Sequence, residues 1–117
     1  MKGGYKNLVV WQKAMKLVLL VYEYTKGFPS SENFGLISQM RRSAVSVPSN
    51  IAEGSKRKTK KDFQQFISVA LGSGAELETQ IEISKQLKYG DSGKIKEIED
   101  LSNEVMRMLF TLFKVNY

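Results

Sequence analysis

The sequence predicts an all-α protein, an antiparallel up-down-up-down four-helix bundle with its second helix kinked near Pro48. Two prolines and nine glycines divide the 117 residues into four segments. None of the segments shows the period-two alternation of a half-buried strand. The connections between them are short, which sets consecutive helices antiparallel. The length suits one core, so residues 1–117 are read as a single domain.

The first helix is expected from about Asn7, a plausible N-cap, to Lys26, where Gly27-Phe28-Pro29-Ser30 supplies a stop and a turn. The second runs from near Ser31 to about Gly54. Pro48 falls in its interior, where proline removes a backbone hydrogen bond and pushes away the Ala44 carbonyl at about 3 kcal/mol. The segment must therefore kink or divide into two helices. Thr59-Lys60-Lys61-Asp62 has the capping-box pattern and opens a third helix, which ends at Leu87-Lys88-Tyr89-Gly90 with Gly90 in the C-cap position. The turn from Gly90 to Gly93 leads into a fourth helix reaching about Val115.

Helices 2 to 4 are one-sided. Ile98, Leu101, Val105, Leu109 and Leu112 share one stripe of helix 4, with Lys96, Asp100, Asn103 and Arg107 opposite. Helix 1 is apolar on two sides. Leu8, Trp11, Met15, Val18 and Tyr22 form one stripe, and Leu17, Leu20, Val21 and Tyr24 form another on the far side. A bundle of this size cannot cover a whole helix circumference, so the stripe of Leu17, Leu20, Val21 and Tyr24 is assigned to contact with another copy of the chain. A fringe of exposed aliphatics is the alternative.

Composition narrows the chemistry. Cysteine and histidine are both absent, which removes disulfides, thiolate nucleophiles, the usual zinc ligands and the usual general base near neutral pH. Only a carboxylate-bound metal such as Mg²⁺ stays open, and no cofactor is expected. The longest apolar run, Leu17 to Tyr22, is six residues against the roughly 20 that span a bilayer. The chain reads as soluble and cytoplasmic, without a membrane partner and without enzymatic activity.

Three features remain. Arg42, Ser46, Asn50 and Glu53 lie within one arc of helix 2, and helix 3 carries Ser73, Glu76 and Gln80 at helical spacing. This set predicts a partly buried polar seam in which Arg42 pairs with Glu53 or Glu76; a cofactor-free active site is the alternative, and it would need an open cavity there. Gly72-Ser73-Gly74, mid-helix, predicts close approach of a neighbouring helix. Charge is the third. From Arg41 to Lys61 there are seven basic residues and one acid, so the whole net charge of +6 sits there. Arg41, Lys56, Arg57, Lys58, Lys60 and Lys61 are the candidate nucleic-acid ligands, since phosphates would relieve both mutual repulsion and the opposition of Lys60 and Lys61 to the helix dipole. No aromatic residue interleaves the run itself, so base stacking is not expected.

Leu8-Val9-Val10-Trp11, Phe28-Pro29 with Glu32, Gly35-Leu36, the long segment from Gln39 through Arg41-Arg42 and Pro48 to Glu53-Gly54, and Gly72-Ser73 with Glu76-Leu77-Glu78-Thr79 resemble the four-helix-bundle proteins of 23S ribosomal RNA intervening sequences. Ser43, where that family usually has Ala, and Gly74 are mild departures. The resemblance implies a small bacterial bundle assembled as a homopentamer, some members being encoded within inserts in ribosomal RNA genes. A related branch, the accessory protein of diversity-generating retroelements, is a basic pentamer associated with nucleic acid and a reverse transcriptase. The expectation is a non-catalytic homo-oligomer binding nucleic acid, RNA above all, through the helix 2–3 junction. The alternative is a scaffold recruiting an acidic protein partner or a polymerase.

Overall fold

The computed structural model describes residues 4–114, in four long helices, α1 (Val9–Thr25), α2 (Leu36–Ser55), α3 (Lys60–Gln86) and α4 (Ser92–Lys114). Single 3-10 turns, Tyr5–Asn7 and Ser30–Glu32, precede α1 and α2. Backbone packing runs round the ring α1–α2–α3–α4, most extensively between α2 and α3, in a bundle of 44 × 24 × 22 Å. The expected end of the fourth helix near Val115 lies outside the described residues.

Local chemistry explains the helix ends. Thr59 Oγ1 accepts from the Asp62 N–H at 3.1 Å, the bond that the capping pattern predicts. Asn7 is not the N-cap of α1; it closes the preceding 3-10 turn, and Leu8 holds the cap position without a side-chain bond. Ser31 likewise lies in a 3-10 turn, and α2 starts at Leu36, whose N–H donates to Glu32 Oε1 at 3.1 Å. α2 runs unbroken through Pro48, which excludes a division into two helices.

The stop of α3 differs from expectation. The Tyr89 N–H donates to the Ser84 carbonyl and the Lys88 N–H to the Lys85 carbonyl, both at 3.0 Å. This is a Schellman motif, and its left-handed position is Lys88, at φ 60°, rather than Gly90. Gly90 is also left-handed, at φ 72°, and a Cβ there would press on the Tyr24 ring. Lys88→Gly should therefore stabilise the protein by about 1 kcal/mol by removing the Cβ strain of a left-handed residue. A chemical-denaturation midpoint that stays level or falls would contradict this.

Two clusters form the core. One gathers Leu17, Val21, Tyr24, Met40, Leu77 and Ile98; the other gathers Val10, Ala14, Ile51, Ile67, Val105 and Leu109; Leu101 packs against both. The expected subunit interface is thereby corrected. Leu17, Val21 and Tyr24 are buried within the single chain, and Leu20 packs half-buried against the first cluster. The inward face of α1 is Val10, Ala14, Leu17, Val21 and Tyr24, a spacing of alternately four and three residues. Its outward apolar residues belong to the other side: Met15 and Tyr22 are exposed, Trp11 and Val18 half-buried, and Leu19 is 67% exposed. The close approach predicted at Gly72-Ser73-Gly74 occurs at Gly74, whose missing side chain makes room for Met106 of α4, while Gly72 faces open space.

Candidate nucleic-acid interface

The α2–α3 junction is tight because Gly54 permits it. A Cβ on Gly54 would lie 2.9 Å from Phe66 Cβ, so any other residue would force the two helices apart. The connection, residues 56–59, turns through bonds from the Lys56 N–H to the Glu53 carbonyl (3.2 Å) and from the Arg57 N–H to the Gly54 carbonyl (3.0 Å). Lys56, Arg57, Lys58 and Lys61 are exposed and Lys60 is half-buried.

Their charges are unequally engaged. Arg57 donates to Glu53 Oε2 at 2.7 Å and lies over the Phe66 ring at 4.7 Å. Lys56 sits 5.7 Å from the Tyr5 ring centre. Among the described residues, Lys56, Lys58, Lys60 and Lys61 make no ion pair. Lysines at the opposite end are paired: Lys94 with Glu23 at 3.4 Å, and Lys85 with Glu99 at 2.9 Å. There the ammonium of Lys26, then that of Lys94, holds the Glu23 carboxyl below the usual carboxylate range. The Glu99 carboxylate raises the Lys85 ammonium above the usual lysine value. At the junction, cations outnumber their acidic partners among the described residues.

Arg41 does not join them. Its Nε donates to Thr25 Oγ1 at 2.9 Å and Nη2 to the Tyr22 carbonyl at 3.4 Å, while its guanidinium stacks on the Tyr22 ring at 4.5 Å. It thus serves the C-terminus of α1, where a cation also meets the negative end of the helix dipole. Along α2 it stands about 22 Å from Lys56 at 1.5 Å per residue.

The polar seam forms only in its uncharged part. Ser46 Oγ and Ser73 Oγ share a hydrogen bond of 2.7 Å, and Asn50 Nδ2 donates to the Ser46 carbonyl and to Ser46 Oγ at 2.8 and 3.0 Å. Arg42 and Glu76 are exposed without an ion pair among the described residues, and Glu53 belongs to Arg57. Arg42 and Glu53 share a face but stand about 16 Å apart along the axis, too far to meet. Beside the seam lies an open polar cleft of about 470 Å³, lined by Arg42, Ser46, Ser73, Glu76 and Gln80 among others. Gln80 Oε1 is buried without a hydrogen-bond partner among the described residues. The cleft brings Arg42 and Glu76 to one wall system but leaves Glu53 outside, so it holds one carboxylate rather than an acid–base pair.

Sequence reading missed the aromatic side of the junction. Phe63 and Phe66 follow the basic run by one helical turn, and the fold brings Tyr5 from the far end of the sequence under Lys56. The proximity of Phe63 and Phe66 is readable from their spacing; that of Tyr5 is purely tertiary. Among the described residues, no group of three or more acidic, His or Cys side chains is placed to hold a metal ion, and no helix is long and apolar enough to cross a membrane.

Fold and site together define a small all-helical bundle with a cation-rich helix junction. Residues 6–111 match the family described as 23S rRNA-intervening sequence protein, and the chain belongs to that family. It is similar to a crystal structure from Bacteroides thetaiotaomicron, a protein with unknown function from the S23 ribosomal protein family. That likeness has a TM-score of 0.81 at 23% identity over 92% of this chain and 100% of the other, and it shows the shared fold. No curated protein matches the chain.

Proposed function

We propose that this protein is a non-catalytic homo-oligomer, a pentameric ring, that binds RNA through its α2–α3 junction. The observation that carries the reading is the set of Lys56, Lys58, Lys60 and Lys61, which have no acidic partner among the described residues, on a connection held tight by Gly54. Phosphates would relieve their repulsion and release counterions. Assembly is supported by the outward apolar side of α1 and by Phe34, which is fully exposed just before α2. A ring would multiply a weak junction by avidity. The number five rests on the family resemblance.

The test is RNA affinity against salt, with mass measured by light scattering on the same samples. Binding should weaken with a log–log slope of about −0.7 per neutralised phosphate on a single strand, at a mass near five chains. Absence of binding at low salt, or binding indifferent to salt, would overturn the RNA reading. A single-chain mass would overturn the ring.

Phe34 also supports a second reading, a scaffold that recruits an acidic protein or a polymerase without touching nucleic acid. A partner retained in pull-downs after nuclease digestion, together with no RNA binding by the pure protein, would favour it.

A further inference from the structure

Two open grooves on opposite sides of the bundle carry opposite charge. One, of about 600 Å³, runs between α1 and α2. Tyr22, Phe34, Ile37 and Val45 give it apolar walls, Arg41 and Arg42 are its charged lining, and no carboxylate among the described residues joins them. Neither arginine has an ion pair among the described residues, and Phe34 is fully exposed. The other groove, of about 370 Å³, lies between α3 and α4 and is lined by Glu78, Glu82, Glu99 and Asp100. Lys85 engages Glu99 at 2.9 Å and Glu82 at 3.7 Å, and Lys96 engages Asp100 at 3.1 Å, which leaves the carboxylates two charges in excess. Glu78 is exposed and has no ion pair among the described residues. Ser102, 2% exposed, also lines this groove, and its hydroxyl has no hydrogen-bond partner among the described residues. The acidic groove thus lacks two cations, and the basic groove holds two cations without an acid. One chain cannot bring the two together, because α1–α2 and α3–α4 are opposite sides of its bundle. A second copy can.

We propose that the basic groove of one copy receives the acidic face of the next, with Arg42 against Glu78 and the Phe34 ring packed at the edge of the contact. The inference rests on the homo-oligomer reading and names the faces that build it. The two surfaces differ, so the contact is head-to-tail and repeats, and a ring results where the rotation closes. Both grooves lie toward the end away from the α2–α3 junction. Tyr22 is late in α1 and Arg41 and Arg42 early in α2, while Glu82 is late in α3 and Glu99 early in α4. Neighbours therefore stand side by side with parallel axes, since an antiparallel copy would overlap only at one end of a bundle 44 Å long. Parallel packing also extends the contact onto apolar residues. Met15 and Val18 share the Tyr22 stripe of α1, and Phe110, half exposed, follows Asn103 of the acidic groove two turns later. Every α2–α3 junction then faces the same end of the assembly, the arrangement that avidity for one strand requires.

The experiment measures mass by light scattering over a dilution series of the full chain, of Arg42→Glu, of Glu78→Arg and of the chain carrying both changes. The native chain should be an oligomer of more than two copies. Either reversal sets like charges face to face and should raise the dissociation constant roughly 100-fold. The double variant, with the pair exchanged, should recover most of that loss. Both positions are exposed, and a denaturation midpoint for each variant separates dissociation from unfolding. A native mass of one chain would overturn the oligomer reading and this interface with it. A native mass of two chains would mark a two-fold contact and overturn the head-to-tail one. An oligomer indifferent to both reversals, or one that the double variant fails to restore, would overturn the pairing of the two grooves and leave assembly itself standing. RNA binding is read separately, since neither residue belongs to the junction.

Discussion

Replacing Lys56, Lys58, Lys60 and Lys61 together by glutamine is expected to weaken binding to single-stranded RNA roughly 10²-fold at about 0.15 M salt. It should also flatten the salt dependence by nearly three log units per log unit of salt, at about 0.7 for each lost phosphate contact. Arg57 is left out deliberately. Its guanidinium is held by Glu53 and the Phe66 ring, so Arg57→Gln alone should cost less affinity than any one of the lysines. Loss of binding through unfolding is distinguishable, because the glutamine variant should be the more stable protein. Lys60 and Lys61 occupy the first turn of α3, where positive charge opposes the helix dipole at about 0.3–1 kcal/mol each. Unchanged affinity and an unchanged salt slope in a folded variant would remove the junction from RNA binding.

Local chemistry was legible in the sequence, and distance was not. The Thr59 cap, the turn at Phe28-Pro29 and the one-sided stripes of α2, α3 and α4 each depend on neighbours within a few residues, and each is present in the fold. The inward face of α1 is not legible in the sequence because both its stripes are apolar, and the residue that decides between them is Ala14. Its small side chain adds little to a hydropathy pattern, yet it completes the four-three spacing of Val10, Leu17, Val21 and Tyr24. Arg42 and Glu53 share an angle on α2 but not a height, and helical periodicity carries angle without rise. The stop at Lys88 is masked in the sequence by Gly90, the better left-handed residue, although the hydrogen bonds place it two residues earlier. Tyr5 beneath Lys56 depends on where distant helix ends converge, which no local pattern encodes.

Tyr24, on the inward face of α1, ties the first helix to the third. Its ring is buried against Phe28 at 5.0 Å and fills the space that Gly90 leaves open. Its hydroxyl donates to the Tyr89 carbonyl at 3.0 Å and shares a 2.7 Å bond with Ser84 Oγ, so one side chain ties α1 to the end of α3. Tyr24→Ala should cost about 3–5 kcal/mol, the range for deleting a buried aromatic ring, against a total of about 5–15 kcal/mol for a typical domain. Tyr24→Phe keeps the ring and should cost about 1 kcal/mol, because the Ser84 hydroxyl can then give its proton to the Ile81 carbonyl, 2.7 Å away. Urea unfolding would show both as lowered midpoints at constant slope. Burial also pushes the Tyr24 phenol above its ordinary value of 10.0. The folded chain then keeps a proton that the unfolded chain releases, so stability should fall as pH rises past the ordinary phenol range. The hydrogen bond to the Glu32 carboxylate raises Tyr89 in the same direction, so Tyr24→Phe should reduce this alkaline loss without abolishing it. Since Tyr24 is enclosed by its own chain, the free energy lost in Tyr24→Ala should be the same at every protein concentration. A loss that grew on dilution would return Tyr24 to a subunit contact, because only stability drawn from association depends on concentration.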